Sequence, residues 1–386
     1  MSWDSIVGQL HTIQVLRTAV GNRRLGHAYL LSGADGAGKV ALAIEFAKTI
    51  NCEKRTTEAC GLCPRCRRFA TLQHPNLRLV FPLPAGKNEK YGDDPFARLP
   101  DEEVALIHQE IAELAANPYH HLLVPRANAI KINSVREIRK ESSLAMFENG
   151  KRVFIIIEAE RLGDESGNAL LKTLEEPQED TLLILTTSHP DRLLPTIVSR
   201  CQQLRLDPLT DEQVIEALVR RELIAREDAV VIAKLANGNY GRAIELKGSR
   251  LTEYRTEITG FLRAILSGPR IELLAEIDRI ATEYEKPRME EFLLLMQSWL
   301  HDAMLLEEGV LLQADVMDGE TLQKFLARCP HPDYPRVFDV VNRSISLINK
   351  NVYIPLILIN LALDLRALLD PSEGSRQSVV AGTSEI

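Results

Sequence analysis

Residues 33–40 read Gly33-Ala34-Asp35-Gly36-Ala37-Gly38-Lys39-Val40, a phosphate-binding loop with one replaced position. In the pattern G-x-x-x-x-G-K-[ST], glycines let backbone N–H groups surround phosphate oxygens. The lysine neutralises the terminal phosphates, and the Ser/Thr hydroxyl holds Mg²⁺. Gly33, Gly36, Gly38 and Lys39 are in place, but Val40 puts two methyl groups where the metal needs an oxygen. Such a loop can still cradle an anion. The sequence leaves open whether ATP or ADP is held; Mg²⁺ and hydrolysis by this chain alone are not expected.

A phosphate loop needs a second element, an apolar strand ending in carboxylates. Arg152–Ala159 is a near-continuous apolar run, as expected for a parallel strand buried on both faces. Working sites end this strand in Asp-Glu, for the metal and the attacking water. Here Glu158 and Ala159 follow the run, which reads as a lengthened metal ligand and a methyl group in place of the base.

Composition frames these motifs. The chain has 386 residues, 45% hydrophobic and 26% charged, enough for two or three soluble domains. It contains no run of about 18 apolar residues, so no membrane span is expected. The start Met1-Ser2-Trp3-Asp4 lacks the basic and apolar regions of a signal peptide, pointing to the cytoplasm. A net charge of −8 argues against a large nucleic-acid face on this chain alone, because phosphate neutralisation needs clustered Lys and Arg. A minority share of a site built by several subunits stays open.

Four of the six cysteines fall together as Cys52, Cys60, Cys63 and Cys66. Paired C-x-x-C turns with a fourth thiol nearby suit tetrahedral Zn²⁺, and four sulfurs leave no open position, so a structural site is expected. Free thiols or disulfides are the alternatives, the latter disfavoured in a reducing compartment. Cys201 and Cys329 stand apart and read as packed apolar residues.

Around the loop, elements alternate. Strands are expected at His27–Ser32, Leu77–Leu83, Arg152–Ala159, Thr181–Ser188 and Gln202–Leu206. Helices are expected at Lys39–Ile50, Asp101–Asn117, Ser134–Phe147 (capped by Ser134 with Glu137) and Asp164–Glu176. This predicts an α/β fold, a doubly wound parallel sheet, over residues 1–207. The cysteine module at 52–66 and a segment at 84–117 read as additions to it. A capping box at Thr210–Gln213 opens a small helical region, 208–249. Periodicity is helical throughout 250–370, with breaks at Gly268, Pro287, Pro330 and Pro355; the last should kink a helix or mark its start. The Ser/Gly-rich tail, 371–386, is expected to be disordered.

One further stretch, Asn168-Ala169-Leu170-Leu171-Lys172-Thr173-Leu174-Glu175-Glu176-Pro177, lies between two of the strands. Together with Val7-Gly8-Gln9, His27-Ala28-Tyr29-Leu30, the cysteine module and Ser199-Arg200-Cys201, it resembles the bacterial clamp-loader AAA+ family of DNA polymerase III. The altered glycine loop and the altered acidic end of the strand Arg152–Ala159 are most similar to the delta-prime branch of that family. The resemblance covers about the first 250 residues. It implies a P-loop AAA+ core, a small helical lid and an all-α C-terminal collar for oligomerisation.

The resemblance also assigns roles. Arg200 would project as an arginine finger into the ATP site of an adjacent subunit, where a guanidinium offsets charge on the transferring phosphoryl group. On the three residues alone, an arginine closing a helix or bridging a carboxylate is the favoured reading of Arg200. Arg242, within Gly238-Asn239-Tyr240-Gly241-Arg242, is similar to a lid arginine that senses γ-phosphate, or ties lid to core. Thr186 and Thr187 sit where a sensing polar residue follows the strand, although buried strand threonines are commoner. His120-His121 reads as surface, and Glu175-Glu176 as a solvated face.

The implied function is a non-hydrolysing clamp-loader subunit working with gamma/tau and delta subunits. The assembly would load a sliding clamp onto primed DNA, as part of a DNA-directed DNA polymerase holoenzyme. The alternatives are an ATP-hydrolysing motor of the gamma/tau kind, and a DNA-binding adaptor indifferent to nucleotide.

Overall fold

The computed structural model describes residues 2–86, 89–90, 92–146, 148–247, 249–309, 319–350 and 352–369. The tail expected to be disordered, 371–386, lies outside them, as does residue 147 at the end of one expected helix. Two compact units form, one of Met1–Ala217 with Gly238–Arg242, the other of Leu218–Asn237 with Ala243–Ile386.

The first unit is built on a five-stranded sheet of β1 (Ala28–Ser32), β2 (Leu77–Val80), β3 (Arg152–Ile156), β4 (Thr181–Thr187) and β5 (Gln202–Arg205). Their order is β2-β3-β4-β1-β5 and every pairing is parallel. The expected doubly wound sheet is present. β3 and β4 are buried along their whole lengths, which is why they read as continuous apolar runs. Strand alternation divides the side chains between two layers. Tyr29 packs edge-on against Phe46 of the helix Lys39–Asn51, with ring centroids 5.1 Å apart. Leu30, Phe154 and Ile156 join the opposite layer with Ile138, Leu170 and Leu174. The helix Lys39–Asn51 buries residues nearly all round, including the Glu45–Lys48 pair at 2.5 Å.

Several boundaries move. β2 ends at Val80, and Leu83 only bridges Ala129. The cap assigned to Ser134 is wrong: the helix runs Ile132–Ser142 from Lys131 at its N-cap, and the Ser134 hydroxyl is buried without a partner. Distant contacts set that start. Asn133 donates to Glu89 Oε1 (3.1 Å) and Lys90 O (2.9 Å), while Lys131 Nζ lies 2.9 Å from Glu89 Oε2. The capping box at Thr210 does form, with Gln213 N–H donating to Thr210 Oγ1 (3.3 Å) and Thr210 N–H to Gln213 Oε1 (3.0 Å).

The second unit is helical throughout its described residues. Its aromatic core pairs Phe261 with Phe292 at 5.7 Å and Trp299 with Phe325 at 4.8 Å. Pro355 is the second residue of the helix Ile354–Leu369, so it marks a start and makes no kink. Proline is tolerated in a first turn, where its missing N–H leaves no bond unmade. Among the described residues, no helix is long and apolar enough to cross a membrane.

Candidate functional site

The glycine loop sits at the carboxyl edge of the sheet, between β1 and the helix Lys39–Asn51. Ligands of open α/β sheets gather at this edge. Gly36 and Gly38 take φ of 72° and 93°, a left-handed region that a Cβ disfavours. Gly33 N–H donates to Thr187 O (3.2 Å), setting the end of β4 beside the loop.

Lys39 is turned into its own loop. Its ammonium donates to Gly33 O (2.8 Å), Ala34 O (2.8 Å) and Ser188 Oγ (2.9 Å), and lies 3.7 Å from Asp35. Burial pushes its pKa down, partly offset by the charges of Asp35, Glu160 and Glu158. Val40 follows in the first helical turn, and its side chain carries no oxygen.

At the strand end the structure corrects the sequence. Ala159 is fully buried in the apolar layer with Phe154 and Leu170, so it does not stand at a base position facing the loop. Glu158 leaves the strand at φ 53° and pairs with His121 and Arg161, both at 3.6 Å. Glu160 Oε1 instead accepts the N–H of Ser188 (3.2 Å). Thr186 and Thr187 are buried, as the commoner explanation has it; Thr187 Oγ1 accepts the N–H of His189.

Ser188, Asp35, Glu160 and Tyr119 were not picked out from sequence. Only Ser188 had a readable signal, since it follows β4, and β4 pairs with β1. His120 is not a surface residue: it is mostly buried, 2.9 Å from Glu110 and 3.4 Å from Glu113. His121 is exposed as expected. Arg242 donates its backbone N–H to Asn239 Oδ1 (2.9 Å), capping the short helix Tyr240–Glu245.

Away from the loop, Arg200 follows the short helix Pro195–Val198. Its guanidinium donates to Thr196 O (3.0 Å) and pairs with Glu175 Oε1 (2.8 Å). Both roles open to a lone arginine, helix closure and a carboxylate bridge, are therefore filled. Cys201 packs into the apolar layer, and burial pushes its thiol up to about 12.

The four clustered cysteines are free thiols whose sulfurs lie within 4.8 Å of one another. Cys60 and Cys66 sulfurs are 3.9 Å apart; tetrahedral arms of about 2.3 Å put thiolates about 3.8 Å apart. Backbone N–H groups of Cys60, Cys63 and Cys66 donate to the sulfurs of Cys52, Cys60 and Cys63 at 3.3–3.4 Å. Such donors favour thiolate, and those from Cys63 and Leu62 bring Cys60 down to about 6, whereas burial pushes the Cys66 thiol up. The set fits a metal ion such as zinc.

A family model described as DNA polymerase III, delta subunit, matches residues 8–210, more than half of the chain. DNA polymerase III subunit delta' of Bacillus subtilis is 28% identical over 251 residues, covering 65% of this chain and 63% of that protein. Subunit tau of Escherichia coli is 30% identical over 251 residues, covering 64% of this chain and 32% of tau. The chain thus spans less than two thirds of the length of either relative. A gamma subunit-related protein of Thermotoga maritima shares 16% identity at a TM-score of 0.40, covering 92% of this chain and 99% of that one. This chain belongs to the DNA polymerase III delta-subunit family, within the bacterial clamp-loader group.

Proposed function

We propose that this chain is a non-hydrolysing, delta-prime-like subunit of a DNA polymerase III clamp loader that presents Arg200 to the ATP site of a neighbouring subunit. The observation that carries the reading is Lys39. Its ammonium is held by Gly33 O, Ala34 O and Ser188 Oγ, and Val40 beside it brings no metal ligand. Phosphoryl transfer depends on a positioned metal, nucleophile and charge clamp; Val40 offers no side-chain ligand to the first, and the lysine that would serve the last is held by the fold's own oxygens.

Arg200 supports the second half. It is on the surface, 36% exposed, and held by an exposed partner. Exposed pairs contribute at most about 1 kcal/mol, so an approaching triphosphate outcompetes Glu175 at little cost. Residues 1–207 would form the AAA+ core, 208–249 a lid in which Arg242 ties lid to core, and 250–370 the collar. Cys52, Cys60, Cys63 and Cys66 would hold a structural Zn²⁺. The partners are gamma/tau and delta subunits in the cytoplasm, with the sliding clamp and primed DNA reached through the assembly.

The 30% identity to tau favours one rival, a hydrolysing motor. Turnover separates the two. The assembly should hydrolyse ATP faster with this chain than without it, while the purified chain alone should release no phosphate. Metal-dependent turnover by the lone chain would establish the motor instead.

A further inference from the structure

The segment after β2 has no counterpart in a minimal α/β core, and its path ends on the glycine loop. Its helix, Asp101–Ala116, runs into a turn in which Asn117 O accepts the N–H of His120 (2.8 Å) and Asn117 Oδ1 that of Tyr119 (3.0 Å). The turn drives Tyr119 inward. Its ring lies where a Cβ on Gly38 would come within 3.0 Å of it. Its hydroxyl accepts the N–H of Val7 (2.6 Å), and its ring meets Tyr240 edge-on at 4.8 Å. On the other side of the loop, a Cβ on Gly36 would overlap Asn239, and one on Gly241 would overlap the Tyr119 carbonyl.

We propose that this added segment is an internal plug: Tyr119 occupies the approach to the glycine loop and excludes nucleoside di- and triphosphates, leaving the loop as a rigid joint. Glycine in a phosphate loop removes side chains so that phosphate can approach the backbone. Here the same bare positions are filled by the chain itself, Gly36 by Asn239 and Gly38 by Tyr119. The plug is fastened at both flanks. His120 is held by Glu110 and Glu113, and Glu110 also accepts the N–H of Leu123 (2.7 Å). His121 reaches Glu158 beyond β3. The Lys39 ammonium, bonded to the carbonyls of Gly33 and Ala34 and to Ser188, is likewise held within the fold.

Titration of the full chain with the fluorescent analogue mant-ADP, with and without Mg²⁺, tests this. Wild type should give no saturable signal, and Tyr119→Ala should bind at least tenfold tighter than wild type. Micromolar binding by wild type, equal binding by both, or binding by neither would each overturn the plug. Tyr119→Ala removes a buried ring, so a gentler variant guards against misfolding. In Tyr119→Phe the ring stays and the acceptor for Val7 N–H is lost. Hydrogen exchange of the Val7 amide should be slow in wild type and at least tenfold faster in Tyr119→Phe; equal rates, or exchange in wild type as fast as in unstructured peptide, sink the proposal.

Discussion

Glu175 Oε1 lies 2.8 Å from Arg200 Nη2, so the guanidinium rests on the last turn of the helix Asp164–Glu175. Both side chains are substantially exposed, at 36% and 48%, and a pair of that kind stabilises by no more than about 1 kcal/mol. Its removal should leave folding almost untouched. Arg200→Ala is therefore expected to melt close to wild type yet slow clamp loading by the assembly at least tenfold. Fingers supplied in trans contribute on the order of 10³–10⁵ in rate. Glu175→Gln should keep loading intact, or quicken it by up to about fivefold, the factor equivalent to about 1 kcal/mol. Unchanged loading kinetics for Arg200→Ala would remove the finger.

Lys39 separates a structural loop from a nucleotide site. Its three hydrogen bonds end within the fold, and hydrogen bonds to a charged group contribute roughly 1.5–3 kcal/mol. Lys39→Ala should lower the urea unfolding free energy by about 1–3 kcal/mol while ATP turnover by the assembly stays within about twofold. The opposite pattern, a stable chain and lost turnover, would show that the lysine serves nucleotide.

How far these positions could be read from sequence follows from whether their causes are local. β3 and β4 were legible because strands buried on both faces are apolar at every position. β5 was not legible by pattern: Gln202-Gln203-Leu204-Arg205 is a largely exposed edge, and only its context suggested it. The Ser134 cap failed because Glu89 and Lys90, more than forty residues away, hold Asn133 and Lys131. The glycine loop was readable from spacing, but what packs on it was not. Tyr119 reaches Val7 across 112 residues, and no local propensity encodes such a contact. Ala159 was misplaced because the apolar run gives no sign of where the chain leaves the sheet, at the left-handed Glu158.

The cysteine module carries a separate expectation. Metal affinity at a thiolate site is itself folding free energy. The module also holds the amino-terminal turn, since Trp3 Nε1 donates to Thr57 O (2.9 Å) and the indole is buried. Metal analysis of the native chain should find about one zinc per chain. Chelation, or Cys63→Ser, should release it and quench or shift Trp3 fluorescence well before the sheet unfolds. A native chain without zinc would end the assignment.

His74 supplies a pH dependence with a definite sign. Its ring is fully buried and stacked on Phe69 at 4.2 Å, and Nδ1 accepts the N–H of Asn76 (3.0 Å). Protonation would set two donors against each other inside a low-dielectric pocket. Burial accordingly lowers the pKa from 6.5 to about 4, against the opposing charge of Glu148. A lowered pKa means that the unfolded chain binds the proton first. The stability contributed by neutral His74 is therefore complete above pH 6.5 and is lost as pH falls through 6.5 towards 4. Linkage caps the loss at roughly 3 kcal/mol for a shift of that size. Denaturant unfolding of the full chain at intervals across this window should show the fall, and His74→Leu should flatten the slope attributable to this ring even if its absolute stability is lower. Identical slopes in the two proteins would mean that His74 binds its proton equally in the folded and unfolded chain, with Glu148 offsetting burial.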